Sequence, residues 1–313
     1  MLISIVIPVY NRAHIVQRTL KSVVAQTHRP LQVVLVDNCS NDDTLTVLQD
    51  FKAKHNNPDF EVIVAQETHH TAAAARNKGF SLATARWVMF FDSDDEMHPS
   101  LAQKYAHTIE QNQENIDMVL TRGEIVALDG TRRNRPYFEN DLIANHILHC
   151  IFSTAHYIVR RSAFEATGGW NKTIRGWDDW EVSMRLMLQQ PRVAFIDETL
   201  MTIYDSGADS ITGTEFSSRH GEWEHVIDLM TQNVQNSHID NKSRYLDLLD
   251  FRRIMLAAHY AREGNENLGK ELYHNALQRL NHNWLAKLFM PLFYHWAKKG
   301  RRGMSRIARL MIR

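Results

Sequence analysis

Cysteine is nearly absent: Cys39 and Cys150 are the only two in 313 residues. That excludes a disulfide framework and any CxxC zinc spacing, and fits a reducing compartment. Net charge is absent too, since 36 basic residues offset 36 acidic ones. No long-range field gathers nucleic acid to the molecule as a whole, and charge has to be read segment by segment. No uninterrupted stretch of about 18 apolar residues occurs, and no basic stretch precedes the apolar run Leu2 to Val9. Neither a membrane span nor a secretion signal is expected, and the protein reads as cytoplasmic. No strand is followed by GxGxxG, which argues against a dinucleotide dehydrogenase.

What is present is a periodic α/β chain, 44% hydrophobic and long enough for one large domain plus an appendage. The β-rich run Ile3 to Val9 gives way to helical spacing through Ile15, Leu20, Val23 and Val24. Leu31–Val36, Glu61–Ala65 and Trp87–Phe91 read as further strands, with helices over Thr44–Lys54 and Ala72–Ala85 between them. The order is βαβαβαβ. Parallel strands covered on both faces read as continuous apolar runs, and ligands sit at their carboxyl ends. Polar clusters follow the strands at Tyr10–Arg12, Asp37–Ser40 and Asp92–Asp95. Further strands are expected at Met118–Thr121, Tyr157–Arg160 and Val193–Ile196, and a helix at Asp178–Gln190. Past Gly213 helical patterns take over, so the expected division is a domain over 1–213 and a helical region over 214–313. Leu246–Glu263 and Leu268–Leu280 form a helical hairpin there.

Phe91-Asp92-Ser93-Asp94-Asp95 places carboxylates where a buried strand ends, with Asp92 and Asp94 on one side in extended geometry. A hard cation takes one or two such carboxylates plus substrate phosphate oxygens. The plainer reading is that these residues cap the next helix. Trp177-Asp178-Asp179-Trp180-Glu181 opens an apolar-patterned helix whose dipole keeps its carboxylates ionised; a helix-start capping box is the plainer reading.

Ser4 to Arg12, Val36 to Asp42, Ala75-Arg76-Asn77, Phe91 to Asp95, Gly168-Gly169-Trp170 and Asp178 to Glu181 resemble, in order, the motifs of family 2 glycosyltransferases. The resemblance covers residues 2 to 213. It implies the GT-A fold, a Rossmann-like, mostly parallel sheet flanked by helices, here with a C-terminal helical extension. It implies inverting transfer from a nucleotide-sugar donor, UDP-sugar favoured, to a glycan or lipid-linked acceptor, with Mn2+ or Mg2+ as cofactor, in cell-surface polysaccharide or glycoconjugate synthesis.

The resemblance puts Pro8, Tyr10, Arg12, Asp37 and Asn38 at the base and ribose. Arg76 is placed at the base or phosphate; Asp92 and Ser93 at the nucleotide; Asp94, with Asp92, at the metal; and Asp179 as general base. A carboxylate can accept from a uracil N3–H and a tyrosine offers a stacking face. Trp170, Trp177, Asp178 and Trp180 are candidates for sugar or acceptor contact, the tryptophans equally candidates for core. Asn38 stands where relatives often carry a second aspartate, and Thr71–Ala75 where many carry glycines. His14, His69, His70, His156 and His220 show no metal spacing. Asp205, Asp209 and Ser210 are candidates in a late loop. Two rivals stand: a catalytically silent GT-A-like binding protein and, lacking its glycine-rich loop, a sugar-nucleotide pyrophosphorylase.

The last segment carries Trp284, Leu285, Leu288, Phe289, Leu292, Phe293 and Trp296 at helical spacing, then Lys298, Lys299, Arg301, Arg302, Arg306, Arg309 and Arg313. This is the pattern of an interfacial helix on an anionic membrane, at the inner face. Packing on the catalytic domain or in a homodimer is the alternative, and Pro291 kinks any single helix.

Overall fold

The computed structural model describes residues 1–113, 115–134, 141–205, 207, 216–280, 284–301 and 303–312. Its N-terminal part follows the expected alternation: β1 (Ile3–Val9), α1 (Val16–Val24), β2 (Leu31–Asp37), α2 (Thr44–His55), β3 (Phe60–Gln66), α3 (Ala72–Leu82) and β4 (Trp87–Phe90). There follow β5 (Glu96–Met97), α4 (Leu101–Gln111), β6 (Met118–Val126), β7 (Arg132–Asn134), α5 (Leu142–His149), β8 (Tyr157–Arg160), α6 (Arg161–Glu165), α7 (Asp178–Leu188) and β9 (Val193–Tyr204). Helices complete the chain: α8 (Glu222–Asn236), α9 (Lys242–Arg262), α10 (Glu266–Arg279), α11 (Trp284–Lys298) and α12 (Met304–Met311). The expected boundary near Gly213 lies outside the described residues, as do Asp209, Ser210, Arg302 and Arg313.

The strands form one sheet in the order β3-β2-β1-β4-β8-β6-β9-β5, with β7 on β6. β1 to β4 run parallel, while β8 is antiparallel to both neighbours. Every residue of β1, β2 and β4 is buried, as continuous apolar runs covered on both faces require. Gly79 lets α3 lie directly on β1: a Cβ there would stand 2.3 Å from Val6 Cγ1. That close approach sets Arg76, three residues earlier on α3, towards the carboxyl end of the sheet.

The chain divides into two compact units. The first holds the whole sheet, in residues 1–137, 152–182 and 191–207. The second comprises 138–151, 183–190 and 208–313, in which α5, α8, α10, α11 and α12 pack on the long helix α9. Gly269 of α10 allows a close approach to α9, since a Cβ there would meet Ala257 O at 2.6 Å.

Candidate active site

The site is built from turns at the carboxyl ends of β1, β2 and β4 and from the first turn of α7, all in the sheet-bearing unit. After β1 the chain bends through Asn11 in the left-handed region (φ 49°). The bend is held by backbone donors on side chains of the loop after β2: Asn11 N to Ser40 Oγ at 2.9 Å, Arg12 N to Thr44 Oγ1 at 2.9 Å and Ala13 N to Asp42 Oδ2 at 3.2 Å. Tyr10 is left half exposed, edge-on to His70. Pro8 is buried within β1, opposite Val36 of β2. Asp37 is buried and accepts from Ser40 N at 3.3 Å and Gln66 Nε2 at 3.2 Å. Asn38 does not present its amide nitrogen to a ligand: it donates to Glu67 O and His69 O at 3.1 and 2.8 Å, so the residue clamps the loop after β3.

Arg76 stands at the middle. The resemblance places it at the base or phosphate; in the structure it is not a surface side chain. It is buried and forks to two carboxylates, Asp92 Oδ1 at 2.7 Å and Asp178 Oδ2 at 2.6 Å, with its guanidinium 4.5 Å from the Trp170 ring centre. Burial alone lowers an arginine's pKa, but Asp178 and Asp92 outweigh it and hold the guanidinium above its ordinary value. The next residue locks a second loop: Asn77 Nδ2 donates to Trp170 O at 2.8 Å and Asn77 Oδ1 accepts from Trp170 N at 2.9 Å. Gly169 is required there, both for φ 82° and because a Cβ would approach Asn77 Oδ1 to 2.8 Å.

Asp92 and Asp94 lie beyond β4 in a turn, not on an extended strand, so strand alternation does not orient them. Nor do they cap α4, which starts at Leu101. Each faces its own cation: Asp92 meets Arg76, and Asp94 Oδ2 lies 3.6 Å from Arg12 Nη2. Burial first, then the charge of Asp92, raise the Asp94 carboxyl above the ordinary carboxylate range, and Arg12 offsets only part of this. Ser93 is buried between them. Asp95 turns away, accepting from Tyr204 N at 3.1 Å. Arg18, which the sequence does not single out, donates to Asp94 O and lies 3.5 Å from the Tyr204 ring centre.

No cluster of three or more acidic, histidine or cysteine side chains surrounds a point among the described residues, so a protein cage for a metal is not what is offered. Asp92 and Asp94, both partly exposed after β4, are hard oxygen donors of the kind that would suit Mg2+ or Mn2+ shared with a diphosphate.

Asp179 sits one residue after the Arg76-bound Asp178, its Oδ1 accepting from Trp180 N at 2.8 Å. Trp177, just before α7, has φ 59°, a costly conformation for a bulky side chain and one typical of functional turns. Of the three tryptophans, only Trp177 is partly exposed. Trp170 and Trp180 are buried, Trp170 edge-on to Phe90 and Trp180 edge-on to Trp177, so both contribute to the core.

Comparison with known proteins bears on the family and the fold. The chain is 29% identical over 195 residues to an uncharacterized glycosyltransferase of Haemophilus influenzae, covering 61% of this chain and 63% of that protein. It is 28% identical over 156 residues to TuaG of Bacillus subtilis, a putative teichuronic acid biosynthesis glycosyltransferase, covering 48% and 60% of the two chains. The chain thus spans less than two thirds of the length of either relative. The crystal structure of S. aureus TarS 1-349 in complex with UDP-GlcNAc shares the fold, with a TM-score of 0.74 at 18% identity over 96% of this chain and 88% of that one. The fold is GT-A with C-terminal helices. The sequence profile described as Glycosyl transferase family 2 matches residues 4–168, more than half of the chain, and the protein belongs to that family.

Proposed function

We propose that this chain is an inverting, divalent-metal-dependent glycosyltransferase. It takes a sugar from a nucleoside-diphosphate sugar, UDP-sugar favoured, and passes it to a glycan or lipid-linked glycan in cell-surface polysaccharide synthesis. The carrying observation is the Asp92–Arg76–Asp178 bridge, which ties the acidic turn after β4 to the turn that bears Asp179. The TuaG relative and the UDP-GlcNAc complex of the structural neighbour support the choice of acceptor class and donor.

In this reading Tyr10 stacks on the uracil and Asp37, with lone pairs left beyond its two bonds, accepts its N3–H. Asp92 and Ser93 meet the ribose side of the donor. Asp94 and Asp92 would hold a Mg2+ or Mn2+, which when bound would supply positive charge to offset that growing on the leaving diphosphate. Asp179 takes the proton of an acceptor hydroxyl. The acceptor oxygen forms its bond to the anomeric carbon from the face opposite the phosphate, and the carbon–oxygen bond to phosphate breaks with its electron pair leaving on the diphosphate. Asp178 is engaged by Arg76, which favours its neighbour Asp179 as the base in this reading.

Nucleotide release from a panel of UDP-, GDP- and dTDP-sugars, with and without lipid-linked acceptors, tests this. UDP released in proportion to acceptor is expected. UDP binding with no release from any donor would instead favour a catalytically silent binding protein.

A further inference from the structure

The helices of the second unit carry an apolar stripe that they do not cover. On α11, Met290 and Phe293 turn inward, Phe293 edge-on to Phe251 of α9 at 5.9 Å. Trp284, Leu288 and Leu292, one helical turn apart, form another face with Phe289 at its side, and the first two are 70% and 65% exposed. The helix is therefore apolar on two faces, only one of which its own unit uses. Ile307 of α12 is exposed as well.

Charge identifies the occupant. Nine of the 36 basic residues and none of the 36 acidic ones fall in 272–313, so this segment carries +9 and residues 1–271 carry −9. Lys299 and Arg301 are exposed directly after α11. Lys298 is held by Glu266 at 2.6 Å, so it is not part of this free charge. An exposed stripe headed by tryptophan and flanked by cations matches an anionic bilayer surface, where the rings and leucines enter the headgroup boundary and the cations meet phosphates. No helix among the described residues is long and apolar enough to cross a membrane, so the contact is one of lying on the surface.

We propose that Trp284, Leu288, Phe289 and Leu292, with Lys299 and Arg301, form a docking face for anionic lipid bilayer. The inference sharpens the lipid-linked acceptor named above but does not depend on turnover. Phosphatidylcholine vesicles, with or without phosphatidylglycerol, are the probe, and co-sedimentation of the full chain is the readout. The full chain is expected to pellet only with the anionic vesicles and to be released by salt. Trp284→Ser/Leu288→Ser/Leu292→Ser is expected to lose partitioning roughly tenfold or more. Each of Lys299→Gln and Arg301→Gln should lower it about fivefold. Unchanged melting temperature and unchanged UDP binding in these variants separate loss of docking from loss of fold or of donor recognition. Equal pelleting with neutral vesicles, or no pelleting at low salt, overturns the proposal. So does a lipid-free dimer that the triple substitution converts to monomer, since the stripe would then be covered by a second copy.

Discussion

Arg76 shares one guanidinium between carboxylates 16 and 102 positions away in sequence, so a single residue joins the two acidic motifs. Arg76→Ala is expected to cost roughly 2–3 kcal/mol by chemical denaturation, below the fully buried limit because Asp92 is a third exposed. Arg76→Lys should recover part of the stability but not the fork, since an ammonium cannot hold both acids bidentately. Asp179→Asn should lower kcat about 10²–10⁴-fold while leaving donor affinity within twofold or so, because a base acts on the acceptor. Retained turnover with an assigned acceptor would move the base role off Asp179. The acidic residues were legible as candidates because strand ends and helix starts can be read from local pattern. Their partners were not. Nothing local shows that Arg76 reaches Asp178, that Asn38 spends its amide on the loop after β3, or that Trp170 and Trp180 face inward.

Among the elements, the loop before α7 and the helix α9 carry distinct expectations. Gly169→Ala forces a side chain into φ 82° and against Asn77 Oδ1, breaking the paired bonds between Asn77 and Trp170; a loss of about 1–3 kcal/mol is expected, with donor binding weakened as Arg76 loses its backing. In α9, burial above all, then Arg262 and Arg252, push His259 down to about 4 from 6.5. The unfolded chain takes up this proton below pH 6.5 and the folded chain not until about 4, so stability is lost as pH falls through that window and levels off beneath it. His259→Gln should flatten that part of the melting-temperature profile; an unchanged slope would show that other groups set it. β1, β2 and β4 were readable because two-sided burial writes them as apolar runs, and β3, at the sheet edge and only partly buried, because its run Val62 to Ala65 is still apolar. β9 was read only to Ile196 because Asp197 and Glu198 interrupt it where the pairing with β6 shifts register, and it resumes through Leu200 to Tyr204. β5, two residues long, has no period to detect.

For the whole molecule, the account joins a donor site at the sheet's carboxyl ends to a basic, apolar-striped helical segment that carries +9 against −9 elsewhere. The two halves of that account stand on separate measurements, and the donor site is the central one. Calorimetric titration of UDP with Mn2+, with EDTA in its place, and with Asp94→Asn tests it most directly. Binding at least about tenfold tighter with Mn2+ is expected in the native chain, and that enhancement is expected to vanish in Asp94→Asn, whose fold is preserved. UDP affinity indifferent to Mn2+, or a metal effect that survives Asp94→Asn, would contradict the account.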